Sequence, residues 1–232
     1  MRPHWALIAL LAAPIAAQAR QPRHAVEVAT GETVAFHAGG TIRIDESFGE
    51  LHVEGWDRAE VEVRVVRRTN RRYESEDEWK AKQELERITV EVTRWGQDLH
   101  IVTRFPRPSI FRPLGGRTNL DMRYDIKAPR AANLRVRHSV GEVNVQGVAG
   151  DIDVTNNVGE VALRLPHDVE YDISARVKIG DVDSALPGRN RRTHLLGAAF
   201  DNDQRRATRS VYARVTVGQI RLGGWTSPAA QR

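Results

Sequence analysis

Four carboxylates of this chain stand directly after a glycine in the same short phrase: Glu50, Glu142, Glu160 and Asp181. The phrase is an apolar residue, glycine, a polar residue and then alternating apolar positions. It is written five times, around Gly49, Gly141, Gly159, Gly180 and Gly218, and the last copy carries Gln219 where the others carry an acid. If copies stack on one another, Glu142, Glu160 and Asp181 form an acidic ladder. Like charges on neighbouring rungs repel and call for a cation or for compensating arginines. Calcium takes six to eight oxygens at one point. A ladder spreads its oxygens over successive rungs, and the aspartate-rich nonapeptide of calcium-binding β-rolls is absent. The acids therefore read as solvated turn residues beside arginine.

The other chemically capable residues converge less. Histidines 24, 37, 52, 100, 138, 167 and 194 are scattered, with no H-x-x-x-H or H-E-x-x-H pair. Ser139 and Ser184 lie beside turns, without a G-x-S-x-G elbow. There are no cysteines, which removes thiol chemistry and thiolate metal sites. Asp151 with Asp153, and Asp181 with Asp183, are the one carboxylate grouping that a polysaccharide-modifying enzyme could use. Alternation places the two pairs outward on separate strands. No catalytic residue, cofactor site or metal site is assigned.

The elements that must position these residues are strands. Val61-Glu62-Val63-Arg64-Val65 alternates cleanly, and Ile42, Ile44, Leu51 and Val53 flank the first glycine. Strands are expected again at 87–94, 98–104 and 120–127. Ser75-Glu76-Asp77-Glu78 resembles a capping box and predicts a short helix near 75–86. The Pro- and Gly-rich stretch 105–116 predicts a loop. From 129 onward, strands at Leu134/Val136, Val143/Val145, Ile152/Val154 and Val161/Leu163 alternate with turns. The inward set extends to Ile173, Val182, Val215, Ile220 and Leu222; Arg135, Asn144, Asp153 and Arg221 face out.

The glycines at 141 and 159 are 18 residues apart, the next interval is 21 and the last is 38. Each period then holds two short strands, too little to bury an apolar face alone, so copies must stack. The spacing predicts successive coils at 141, 159 and 180, and a later coil at 218 reached through a polar insertion near 185–210. Gly49 belongs to a similar turn in the first half, too distant to be the next repeat. Glycine at each bend allows a positive φ or a close approach of the next coil. Gly55 and Trp56 mark a further turn, with Trp56 and Trp225 expected to cap an edge or the end of the stack. The expected fold is all-β, a solenoid-like stack resembling a parallel β-helix, with a β-sandwich as the alternative and an antiparallel sheet at the N-terminal end. The expected organisation is a segment 1–19 removed on export, an N-terminal β region 20–128 and a repeat region 129–232.

Residues 1–19 read as a signal peptide: Arg2, an apolar run Ala6–Ala17, and the cleavage pattern Ala17-Gln18-Ala19. The run is too short to span a bilayer. The chain has 35 Lys plus Arg against 30 Asp plus Glu, a net +5 with mixed signs. The clusters at Arg67-Arg68 with Arg71-Arg72, and at 189–209, lack the interleaved aromatics of a nucleic-acid groove, so no nucleic-acid partner is expected.

The sequence Gly49-Glu50-Leu51-His52-Val53-Glu54-Gly55-Trp56-Asp57, the strand end Tyr124-Asp125-Ile126-Lys127-Ala128-Pro129 and the repeats at 134–145 and 152–163 together resemble the bacterial putative-adhesin family, the domain of unknown function DUF4097. The resemblance covers about residues 40–225. It implies an exported, largely solenoidal β domain without enzyme activity, and it carries over no catalytic residue. A periplasmic or secreted binding or scaffold role follows, with an envelope protein or a surface glycan as partner.

Overall fold

The structure is a computed structural model that describes residues 23–37, 39–74, 76–106, 120–193, 196–202, 204 and 206–226. The proposed signal segment, Ser75 of the capping box, His194 and most of the expected 105–116 loop lie outside these residues. The described chain is all-β with one short helix. Its strands are β1 (His24–Ala35), β2 (Thr41–Trp56), β3 (Glu60–Tyr73), β4 (Thr89–Trp95), β5 (Asp98–Arg104) and β6 (Leu120–Pro129) in the first half. The second half holds β7 (Asn133–Gln146), β8 (Ile152–Pro166), β9 (Tyr171–Ser184), β10 (Arg189–Thr193), β11 (Gly197–Asp201) and β12 (Arg209–Trp225). Helix α1 is Glu78–Glu86, with Asp77 at its N-cap and Ala81 and Leu85 buried.

All twelve strands join one mixed, open sheet in the order β1-β3-β6-β2-β7-β8-β12-β9-β11-β10, with β5 beside β2 and β4 beside β5. Five long strands form its middle: β2, β7, β8, β12 and β9, each pairing parallel and in register with the next. The outer strands are antiparallel: β3 on β6, β1 on β3, β11 on β9, and β10 on β11.

Each long strand changes face at its glycine. In β7 the buried positions are Leu134, Val136 and His138 before Gly141, but Val143 and Val145 after it. A strict period of two would carry the even positions through; the parity slips by one, as at a bulge. The same slip takes β8 from Ile152, Val154 and Asn156 to Val161 and Leu163. Both arms of each strand thereby bury against one core. All thirteen residues expected to point inward from Leu134 to Leu222 are buried, while Arg135, Asn144, Asp153 and Arg221 are not.

The order along the stack differs from the order expected from spacing. Val217-Gly218 of β12 pairs with Val158-Gly159 of β8 on one side and with Ile179-Gly180 of β9 on the other. The last repeat is therefore inserted between the copies at 159 and 180 rather than added beyond them. Gly49 is also a member, paired directly with Gly141. Segment 185–210 is more than a polar insertion. It supplies the β10–β11 hairpin, and Ala198, Ala199 and Phe200 are buried. That hairpin occupies one edge of β9, so the other edge is open to β12. Strand β1, which the alternation analysis did not pick out, is an edge strand with mostly exposed side chains.

Candidate functional site

The five repeat glycines form one column across the middle of the sheet, in the spatial order Gly49, Gly141, Gly159, Gly218, Gly180. Their φ values are 94°, 128°, 129°, 139° and 133°, a backbone region that side chains disfavour. A Cβ on Gly141 would lie 2.0 Å from the carbonyl oxygen of Gly49, one on Gly159 would lie 1.9 Å from that of Gly141, and one on Gly218 would lie 1.8 Å from that of Gly159. Each missing side chain is thus replaced by the carbonyl of the neighbouring rung. The column begins against the Met122 carbonyl and ends where the Gly180 N–H donates to the Leu196 carbonyl at 2.8 Å. Gly55 stands apart from it, packed against the Gly147 carbonyl at 2.1 Å from where its Cβ would be.

Beside the column, on its inner side, runs a short polar row that sequence reading missed. Ser47, His138 and Asn156 occupy equivalent rungs and are buried. The His138 Nε2–H donates to the Gly49 carbonyl at 3.1 Å, and the Asn156 Nδ2–H donates to the Gly141 carbonyl at 3.0 Å. Since a carbonyl can only accept, Nδ1 of a neutral His138 is the acceptor for the Ser47 hydroxyl, 2.7 Å away. Burial pushes the His138 pKa down to about 4, against the backbone bonds to Gly49 and Val140 that raise it. A serine within reach of a histidine is the geometry of a nucleophile and its base. Here neither side chain is exposed to a substrate, and the ring is committed to the bend. The row therefore secures the glycine carbonyls. On the next two rungs Val215 and Val177 take the same place. The signal for the row was present: a polar residue at an inward position just before the repeat glycine.

The acids after the glycines form an outward row on the other side of the column. Its order is Arg123, Glu50, Glu142, Glu160, Gln219, Asp181, so Glu142 and Glu160 are neighbours but Asp181 is separated from them by Gln219. Most of the row is compensated. Glu50 pairs with Arg123 at 2.8 Å, Glu160 with Arg221 at 2.9 Å, and Glu142 accepts from Asn144 at 2.8 Å. The Arg123 pKa is raised by its hydrogen bond to Glu50. Among the described residues no three acids or histidines converge as metal ligands.

The second carboxylate grouping is also dispersed. Asp151 accepts from the N–H of Ser210 at 2.8 Å and its hydroxyl at 3.1 Å. Asp153 lies 3.4 Å from Arg135. Strand β12 stands between them and the strand of Asp181 and Asp183, so the four carboxylates do not face one another across a gap.

Neither tryptophan of interest caps an edge of the sheet. Trp56 lies on β2, between β6 and β7. Its indole N–H donates to the Glu60 carbonyl at 2.8 Å, and Arg58 and Lys127 lie 4.9 and 5.5 Å from its ring. Trp225 packs over Gly147, with Arg130 5.3 Å from the ring. Arg67, part of an expected surface cluster, is buried instead. It donates to the Ile88 carbonyl and to Thr30 Oγ1, at 2.6 Å for the latter, and desolvation lowers its pKa. His52 is 40% exposed, 3.7 Å from Glu50, as an outward strand histidine should be.

The outward side of the arms before the glycines carries a different chemistry. A shallow, open depression of about 290 Å³ lies where β5 parts from β2, lined by Asp45, His100, Val102, Arg104 and Arg137. His100 Nε2 is 2.7 Å from Asp45 Oδ2, and Arg137 is 4.0 Å from the other oxygen. The ring of Trp95, 73% exposed, meets His100 edge-on at 6.2 Å. A second depression of about 370 Å³ lies at the turns, lined by Asp168, Glu170, Arg206 and Arg209 among others. Sequence reading assigned none of these residues, because β2, β4, β5 and β7 meet only through the sheet.

No protein-family model matches the chain, and no curated protein matches it at a significant level. Among solved structures it is similar to a putative cell adhesion protein from Clostridium sporogenes, at 14% identity and a TM-score of 0.44, over 85% of this chain and 100% of that one. It is also similar to a putative adhesin from Bacteroides fragilis, at 10% identity and a TM-score of 0.34, over 84% and 97% of the two chains. A putative adhesin from Parabacteroides merdae is more distant, at 6% identity and a TM-score of 0.25, over 67% of each. At these identities no residue role transfers.

Proposed function

We propose that the protein is a non-catalytic, exported binding or scaffold domain of the cell envelope. The observation that carries this reading is the register of the five long strands. Equivalent outward positions of β2, β7, β8, β12 and β9 stand side by side, which builds continuous rows of side chains on each arm. Such rows suit recognition of an extended partner, a protein or a surface glycan. We read the stack as solenoid-like, one bent strand per coil, because its members pair parallel through both arms. The hairpins of a sandwich would make neighbours antiparallel. Export rests on the Arg2, Ala6–Ala17 and Ala17-Gln18-Ala19 pattern. No helix among the described residues is long and apolar enough to cross a membrane.

The test is expression of the full chain with a C-terminal tag in a Gram-negative host, followed by fractionation and intact-mass measurement. A product beginning at Arg20, outside the cytoplasm and co-sedimenting with washed envelopes, is expected. An uncleaved cytoplasmic product, or a cleaved one that stays in the supernatant, would sink the reading.

A further inference from the structure

The arms before the glycines display one row of arginines across the sheet. Register places Arg137 of β7, Arg214 of β12, Arg176 of β9 and Arg191 of β10 in line, with Thr155 and Ala199 on the intervening strands. Strands lie about 4.8 Å apart, so the row runs roughly 24 Å. Arg214 and Arg176 are directly paired positions, where like charges destabilise a sheet. Among the described residues no carboxylate pairs with Arg214, and Arg176 reaches only Asp201, at 3.9 Å, which Arg191 holds at 2.6 Å. The depression of Asp45, His100, Arg104 and Arg137 continues the row at its other end, and exposed Trp95 meets its His100 ring edge-on. Tyr212, 46% exposed, stands in the adjoining row between Asp153 and Ser174.

We propose that this face binds an acidic polysaccharide, a chain of sugar rings bearing carboxylates, laid across the strands with one ring in the depression. The inference rests on the envelope-binding reading and names the ligand class. Arg137 holds one carboxylate by charge-assisted bonds, with Arg104, whose Nε also donates to Glu91 at 3.2 Å, beside it, and Arg214, Arg176 and Arg191 hold those that follow. The Asp45–His100 pair takes ring hydroxyls, and Trp95 covers a sugar face. The depression is shallow and open, so it seats one face of a single ring without enclosing it. Asp45, Asp153 and Asp201 interleave with the arginines. They accept bonds from the ring hydroxyls that every sugar unit carries, whereas the backbone of a DNA strand offers them no donor. The chemistry therefore favours an anionic polymer that also carries ring hydroxyls over nucleic acid.

The experiment is titration calorimetry on the purified full-length product with hexagalacturonate, maltohexaose and a dodecamer of thymidylate. Hexagalacturonate should bind at least about tenfold more tightly than either of the others. Arg137→Gln and Arg214→Gln should each weaken it about tenfold, and Trp95→Ala should weaken it without moving the melting temperature. Arg221→Gln, on the other arm, should leave it unchanged. Equal or tighter binding of thymidylate, no binding of hexagalacturonate, or binding indifferent to the two arginine variants would each overturn the proposal. Envelope association that persists in Arg137→Gln, with no hexagalacturonate binding by the wild type, sinks this inference and leaves the envelope reading standing. Arg137-dependent binding by a protein that stays cytoplasmic does the reverse.

Discussion

Replacing Gly159 by alanine tests the column that organises the fold. The residue has φ +129°, and a Cβ there would sit 1.9 Å from the Gly141 carbonyl oxygen and 2.8 Å from its carbon. Holding an alanine at such a φ costs about 1–3 kcal/mol. The collision adds to this. Carbon and carbonyl oxygen approach comfortably at about 3.3 Å, so β7 and β8 must part by more than an ångström at the bend. That breaks roughly two backbone bonds worth about 1 kcal/mol each. The sum is about 3–5 kcal/mol, a large share of a typical domain stability of about 5–15 kcal/mol. For a chain of this size it lowers the melting temperature by roughly 6–20 °C. Two controls separate the contributions in thermal and urea melts. Gly96→Ala keeps a positive φ, +62°, with nothing within 4 Å of its Cβ, and should cost only about 1 kcal/mol. Gly150→Ala has no positive φ but meets the Ala132 carbonyl oxygen at 2.1 Å, and so reports the collision alone. If Gly159→Ala melts within about 3 °C of Gly96→Ala, the stacked-glycine reasoning is wrong.

Stability should depend on His138 through pH. The folded pKa, about 4, lies below the ordinary value near 6.5, so the unfolded chain takes up a proton first as pH falls. Stability is therefore lost from about pH 6.5 down to about 4, by about 3 kcal/mol, and levels off below that. His138→Asn, which copies the Asn156 rung, should remove this step in urea melts run across that range; an unchanged profile refutes the assignment. Asn156→Val removes the bond to Gly141 but also removes a buried Oδ1 that has no partner among the described residues. It should change stability by less than about 1 kcal/mol, whereas Asn156→Ala should cost about 2 kcal/mol or more. The Tyr171 hydroxyl donates to the Val148 carbonyl at 2.9 Å in a buried site that raises its pKa, so Tyr171→Phe should cost about 1 kcal/mol in a chemical melt. Arg123→Ala should alter the melt by less than about 1 kcal/mol, and less still at high salt, because its pair with Glu50 is exposed.

The alternation of Leu134, Val136, Val143, Val145 and their counterparts was enough to assign strands and faces. The burial of a side chain on a strand follows from its own polarity and its parity, both of which are local. The parity slip at the repeat glycine was equally legible, since an inward even series becomes an inward odd one across Gly141 and again across Gly159. Helix α1 also declared itself by composition, although its N-cap is Asp77. Edge strand β1 did not, because an edge with exposed side chains has little apolar pattern to show.

What the sequence could not supply was the order of the stack and everything that depends on it. Near-identical repeats present nearly identical edges, so β12 could add beyond β9 or enter between β8 and β9 with similar local pairing. The β10–β11 hairpin on the far edge of β9 decides between them. Gly49 likewise joins Gly141 only because β2 lies beside β7, across 92 residues of chain. The buried row of Ser47, His138 and Asn156, the burial of Arg67 and the depression between His100 and Arg137 all arise from those long-range neighbours. Local chemistry thus determined which residues form strands and which way they face, while the pairing of distant edges determined which side chains meet.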